Sequence, residues 1–444
     1  MSKNLRDRLL DPKFQLRVLV IAAAVWHLAI ASAIYEIGKH QLAPGEVYST
    51  GIARVAADGL GYAPQCEELC LIMKSGGPGE WLTWPTQLHV RLYSLPLMLF
   101  IRWTGFNILT IEPLNLIYFL GMLALVFKLG AAVFDRTSGL LAAAIVGAWP
   151  SLLLHSTQLL RDPLLIVAVL ALVWTLVELL RARLSWARAT MLALVATAVL
   201  IIIRIVRLPM WSLTCVMIGI GLGLFVCRFL IRRRIDRKVI ALGMVLIGLV
   251  VFIPRLQPWF HNQQETRQVR KIFPEEVQKL PIDQQVAARR SGFQYGIDPQ
   301  GNVTRAEDAS RIDRDVTFHG LKDMLLYTPR ALVIGLFAPF PNMWFSAGKQ
   351  TSARGRLLSG FEMLLTYVLE CFALVGCWLG RRKLEAWFMI SFAILGLLAL
   401  GLVVSNVGAL YRLRYPFWIL IVILGTGGLV HLLRARFPGL KGAN

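Results

Sequence analysis

The stretch LLAAAIVGAWPSLLLHSTQLLRDPLLIVAVLALVWTLVELL, residues 140–180, holds two long apolar runs separated by one charged pair, Arg161-Asp162. Each run is close to the roughly 20 residues that cross a hydrocarbon core. Charge wedged between two such runs is costly unless it reaches a membrane surface or serves a site. About ten segments of the chain have this length and character. With 444 residues, 56% of them hydrophobic and only 16% charged, the chain reads as an all-α polytopic membrane protein. The expected architecture is a bundle of about 10 spans, and 11 or 12 if the interfacial segments also cross.

The net charge of +21 does not point to nucleic acid. Lys and Arg cluster in short segments beside the apolar runs, as in RFLIRRRIDRK at 228–238, which is the positive-inside pattern. The basic N-terminus is therefore placed in the cytoplasm. No cleavable leader is expected, because Val18–Ile34 lacks a small-residue cleavage site and reads as a retained first span. The spans then fall at about 18–36, 113–134, 138–157, 163–180, 189–206, 209–227, 239–254, 357–379, 385–404 and 413–433. Residues 37–112 form a long outer loop, in which Leu88–Thr104, interrupted by His89, Arg91 and Pro96, reads as an interfacial helix. Residues 181–254 add further spans, and the polar stretch 255–329 reads as a small outer subdomain. RALVIGLFAPFPNMWFSAGK, 330–349, reads as a re-entrant or surface segment broken by Pro339 and Pro341; a full crossing there would put Arg381, Arg382 and Lys383 outside. The last spans complete a C-terminal part, 330–444.

This threading puts Asp162 on the same face as Glu46. It also isolates arginines that run against the topological bias: Arg161, Arg204, Arg207, Arg412 and Arg414. A lone arginine at a span end usually snorkels or forms an ion pair. Several on one face suit an anionic ligand, because the planar guanidinium fork matches phosphate; Arg412 or Arg414 would be the one in the last of these positions. Asp162 before Pro163 could equally be a helix start paired with Arg161. Asp58-Gly59 is first a turn signal. The run Phe337–Trp344 would sit at the interface, its aromatics serving as anchors or, with Trp344, as a wall for a sugar or lipid; Trp81 and Trp84 admit the same two readings. Glu362 and Glu370 lie within a span, where acids mark function or a buried partner. Cys66 and Cys70 read as one helix face rather than a disulfide, and the seven histidines show no HxxH or HExxH spacing, so no metal site is expected from local motifs.

The order of these features resembles the N-terminal module of the GT-C glycosyltransferases, in particular bacterial relatives of protein O-mannosyltransferases and of aminoarabinose transferase. The residues that carry the resemblance are Trp84–Leu180, with its Pro-rich entry to an amphipathic helix, its Gly-Leu-Leu-Ala-Ala span and its Ser156-to-Asp162-Pro163 spacing. They also include the early acid Glu46-Val47-Tyr48, the turn Asp58–Tyr62, and Tyr411-Arg412-Leu413-Arg414 before the last span. The likeness covers residues 1–180 well, the last 60 loosely and the middle hardly at all. The chain departs from the common pattern in carrying Gly45-Glu46 where many relatives have an Asp or an Asp-Glu pair.

The resemblance implies transfer of a sugar, with inversion, from a polyprenyl-phosphate donor to a glycan, lipid or protein acceptor. The site would face the periplasm from the bacterial inner membrane. Glu46 would be the base and Asp162 the second catalytic acid, with Tyr48, Asp58, Arg161, Arg204, Arg207, Arg412, Arg414 and Trp344 lining the donor site. No cofactor is demanded, although the resemblance leaves room for a divalent cation held by Glu46 and Asp162 together. Two rivals share parts of this layout: a polyprenyl-diphosphate glycan polymerase or ligase, and a flippase for lipid-linked sugars. The absence of inverted symmetry between the halves counts against the flippase.

Overall fold

The computed structural model describes residues 12–181, 184–232, 236–256, 280–297, 303–305, 311–345 and 353–437. The first span is α1 (Pro12–Lys39), and the long loop after it holds α2 (Asp58–Ser75), α3 (Gly77–Thr83) and α4 (Leu88–Thr104). There follow α5 (Ile108–Val133), α6 (Arg136–Gly147), α7 (Pro150–Ser156), α8 (Asp162–Arg181), α9 (Trp186–Val206), α10 (Met210–Arg232) and α11 (Arg237–Phe252). The polar segment contributes α12 (Ile282–Gln294) and an antiparallel hairpin, β1 (Tyr295–Ile297) with β2 (Val303–Arg305), in which Gly296 stands opposite Thr304. The chain ends with α13 (Leu321–Phe337), α14 (Ala353–Gly380), α15 (Leu384–Val403), α16 (Val407–Leu413) and α17 (Tyr415–Arg436).

Nine helices among the described residues are long and apolar enough to cross a membrane, and α6 with α7 is a pair bent by 68° that makes a tenth if the two cross as one. The run expected as a single span over 138–157 is thus two helices. Proline cannot donate to the turn before it and pushes the preceding residue out of the helical region; Trp149, ahead of Pro150, is extended at φ −72°, ψ 115°. The expected last span at 413–433 is also shifted, because Asn406 caps a separate short helix, α16, by accepting from the Ala409 N–H at 3.1 Å. Much of the 255–329 loop (257–279, 298–302 and 306–310) lies outside the described residues, as do 1–11 of the basic N-terminus, 233–235 of the 228–238 cluster and 438–444 of the tail.

Two opposite ends of the bundle are fixed by long-range contacts. At one, Arg434 pairs with Asp135 at 2.7 Å and Lys383 Nζ donates to the Val133 carbonyl at 2.6 Å. At the other, Ile108 N–H donates to the Thr50 carbonyl at 3.0 Å, so the first loop is tied to the start of α5. The interior is not purely apolar. His27 of α1 lies 2.5 Å from Glu112 of α5 and 2.9 Å from Ser156 of α7, all buried, so three spans are joined by one imidazole. Buried polar groups of this kind must be satisfied within the bundle, since lipid offers them no partner.

The polar segment docks through Arg290, which is 2% exposed. Its guanidinium donates to the carbonyls of Leu402 (3.0 Å) and Gly401 (3.4 Å), the orphan acceptors at the end of α15. It also reaches the carbonyls of Val316 and Asp313. α13 enters beside α15, with Ala331 against Gly401 and Gly335 against Leu397, and Trp344 then packs on Gly360 of α14.

Candidate active site

Asp162 opens α8 with Pro163 at the first full helical position, where a missing N–H costs nothing. The segment just before it is held by the first loop. Gln158 accepts the Ala53 N–H at 2.8 Å, and the Tyr93 hydroxyl lies 3.0 Å from the Leu160 carbonyl and 2.7 Å from Asn115. Ala53 belongs to a tight hairpin in which Val47 bridges Ala53 and Tyr48 N–H donates to the Ile52 carbonyl. Gly51 turns that hairpin at φ 84°, and a Cβ there would also lie 2.7 Å from the Ile108 side chain, so two independent constraints demand glycine. Glu46 stands at the base of the same hairpin, half-buried, with its carbonyl accepting the Arg54 N–H at 2.7 Å. Tyr48 is exposed beside it.

Around Asp162 four distant segments meet. Arg412 of α16 donates to Asp58 of α2 at 2.8 Å. Its Nε is 2.9 Å from the other acid, Asp162, an ion pair rather than an aligned hydrogen bond. Arg207, just after α9, approaches the second Asp162 oxygen at 3.3 Å. Asp162 is 4% exposed, whereas the Asp58 side chain is 47% exposed, so the cluster runs from a buried acid to a solvent-facing one. Burial, with repulsion from Arg161, depresses the Arg207 pKa to about 10, which still leaves it charged at neutral pH.

His89 and Tyr62 belong to the same neighbourhood. The His89 ring is buried and meets Tyr62 edge-on at 4.6 Å between centroids. Burial, and then the positive charge of Arg161, lowers the His89 pKa to about 3 from an ordinary 6.5, so the imidazole is neutral. Between those values the unfolded chain binds a proton that the folded chain refuses, so stability falls as pH drops from 6.5 towards 3. His89→Phe is therefore expected to flatten the acid limb of a thermal-midpoint profile measured across that window; parallel profiles for the two proteins would count against it.

Other sequence candidates are placed elsewhere. Arg414 turns away from Asp162, donating to the Ala338 carbonyl at 2.6 Å and lying over the Tyr411 ring. Arg204 sits over Trp211 at 5.4 Å, and Trp344 donates its indole N–H to the Pro339 carbonyl at 2.8 Å. Glu362 is fully buried: it accepts from Ser151 N–H (2.7 Å), Ser151 Oγ (2.5 Å) and the Tyr411 hydroxyl, while Tyr415 donates to Ser151 Oγ at 2.8 Å. Tyr411 is the neighbour of Arg412, so this network anchors α16 under the ion cluster. Sequence reading did not single out Gln158, Glu112 or the role of His89. The one usable signal was polar residues inside apolar or amphipathic runs.

A cavity of about 10 Å³, room for roughly one water, lies against Asp162, His155 and Tyr415. Among the described residues no three His, Cys, Asp or Glu side chains gather to hold a metal ion. Between Asp58 and Asp162 the cation is Arg412 itself.

No protein-family model matches the chain, and no curated protein matches its sequence. Among solved structures it is similar to the Archaeoglobus fulgidus oligosaccharyltransferase in the apo form, at 14% identity and a TM-score of 0.49, over 94% of this chain and 52% of that one. It is also similar to the archaeal oligosaccharyltransferase AglB from Archaeoglobus fulgidus in complex with an inhibitory peptide and a dolichol-phosphate, at 12% identity and a TM-score of 0.47, with the same coverage. The chain thus spans about half the length of these structures.

Proposed function

We propose that the chain is a GT-C-type glycosyltransferase that moves a sugar from a polyprenyl-phosphate carrier to an envelope acceptor, with inversion, at the outer face of a bacterial inner membrane. The observation that carries this reading is the convergence of two guanidinium groups, Arg207 and Arg412, on the buried Asp162 at the end of a membrane bundle, with Arg412 also held by the solvent-facing Asp58. The guanidinium fork suits the oxygens of a lipid phosphate.

The chemistry then divides among the residues as follows. A carboxylate takes the proton of the acceptor hydroxyl as its oxygen attacks the anomeric carbon. The bond from that carbon to the carrier phosphate breaks, and the phosphate leaves with the electron pair. Arginines already held in place stabilise the charge without reorganising. Glu46, on the hairpin clamped to Gln158, is assigned as the base. Asp162 orients Arg207 and Arg412, and Asp58 holds the outward side of Arg412. Arg204, Arg414 and Trp344 are engaged by Trp211, the Ala338 carbonyl and the Pro339 carbonyl and take no part in this division.

The test uses membranes containing the chain, supplied with radiolabelled polyprenyl-monophosphate sugars or with polyprenyl-diphosphate glycans. Loss of label from the monophosphate donor, resolved by thin-layer chromatography, with its appearance in a separate product is the expected result. Consumption of the diphosphate donor alone would favour the polymerase or ligase; lipid movement across the bilayer without release would favour the flippase.

A further inference from the structure

At the end of the bundle opposite Asp162, a groove of about 620 Å³ opens between α5, α8 and α9. Its apolar lining includes Phe127, Trp174 and Met191. Its polar lining is Lys128, Arg181, Arg188 and Glu178. Glu178, with a side chain only 5% exposed, is clasped by Arg188 at 2.9 Å and Arg181 at 3.3 Å. Both arginines line the groove and remain more than a third exposed. Lys128 lies five residues inside the end of α5, about 7–8 Å below it along the axis. Its ammonium does not run straight to the water surface but lies over the Trp174 ring, 4.6 Å from the centroid. Three cations against one acid leave the groove two positive charges in excess.

We propose that this groove is a binding site for one anionic phospholipid of the adjoining leaflet. Its phosphate would sit among Lys128, Arg188 and Arg181, and its acyl chains would lie along the apolar lining between α5 and α9. A phosphate offers further oxygens to three cations that share one carboxylate. A greasy tail explains why the floor is aromatic and aliphatic and why it is open between two spans, a wall that a soluble anion would not need. Lys128 placed on an indole face is held at phosphate depth rather than stretched to water. The inference concerns the end of the bundle away from the proposed transfer site and stands or falls independently of it.

The test is native mass spectrometry of the full chain, purified in detergent and offered phosphatidylglycerol or phosphatidylcholine. One phosphatidylglycerol per chain should be retained under activation that strips phosphatidylcholine. Lys128→Gln, which breaks no ion pair, should lower that retention about fivefold, the effect of one basic residue at a lipid surface; Arg188→Gln should lower it as well. Equal retention of both lipids, or unchanged retention in Lys128→Gln, would overturn the proposal. So would displacement of the lipid by millimolar inorganic phosphate, which would assign the groove to a soluble anion.

Discussion

Asp162→Asn should reduce sugar transfer by about a hundred- to a thousandfold, the effect of removing one preorganised electrostatic partner from a polar transition state. The asparagine has nearly the same volume, so the change is one of charge. Asp162 is where Arg207 and Arg412 meet, coming from segments more than 200 residues apart. Without its carboxylate the two guanidinium groups repel across a buried site, and Arg412 keeps only Asp58. Breaking a buried pair by removing one partner costs about 3–5 kcal/mol, so thermal stability should fall as well. Asp162→Glu separates the two effects: it keeps the charge, and it should recover stability more fully than transfer, because the longer arm displaces both arginines. Equal transfer rates for wild type and Asp162→Asn would remove Asp162 from the site.

Gly376→Leu should unfold or misassemble the C-terminal half of the bundle. α14 and α17 approach closely enough that backbone meets backbone: Gly376 faces the Leu424 carbonyl, Gly425 faces that of Leu369, and Gly428 faces that of Phe372. A Cβ at any of these would strike an oxygen fixed in a helix, which cannot rotate aside as a side chain can. Small residues at such crossings let membrane helices gain contact that lipid exclusion alone would not supply. Overpacking ordinarily costs about 1–3 kcal/mol, and a clash with backbone belongs at or above the top of that range. The consequence reaches the site, because α14 carries Glu362 and the α16–α17 segment carries Tyr411 and Arg412. Thermal unfolding of the detergent-solubilised chain measures it. Gly248→Leu in α11, where a Cβ would meet nothing within 4 Å, is the control and should melt like wild type.

Much of the bundle is legible because hydropathy and length are local properties. The helix at Leu88–Thr104 and a count of nine or ten candidate spans followed from them. Bending is less visible to such a reading. The 138–157 run has the composition of one span, and only Pro150 hints that it is two helices at 68°. The site was legible as a set of residue types but not as a geometry. Arg412 and Arg414 look equivalent in YRLRYP, yet residues two apart on a helix point to different sides. Only Arg412 faces Asp58 and Asp162; Arg414 is spent on the Ala338 carbonyl. Nothing local could announce the contact of Arg412 with an acid 354 positions earlier. Glu362 was legible as an acid within a span, but its partners Ser151 and Tyr411, 211 and 49 positions away, were not.

The most direct measurement compares transfer from a radiolabelled polyprenyl-monophosphate sugar in membranes carrying wild type, Glu46→Gln or Asp162→Asn, at matched amounts of folded protein judged by size-exclusion retention. Wild type should move the label from the polyprenyl donor to a product separated from it by chromatography, and both variants should fail to do so while still eluting as folded protein. Transfer that survives both substitutions would contradict the assignment of the reaction to the Asp162 cluster and its neighbouring hairpin.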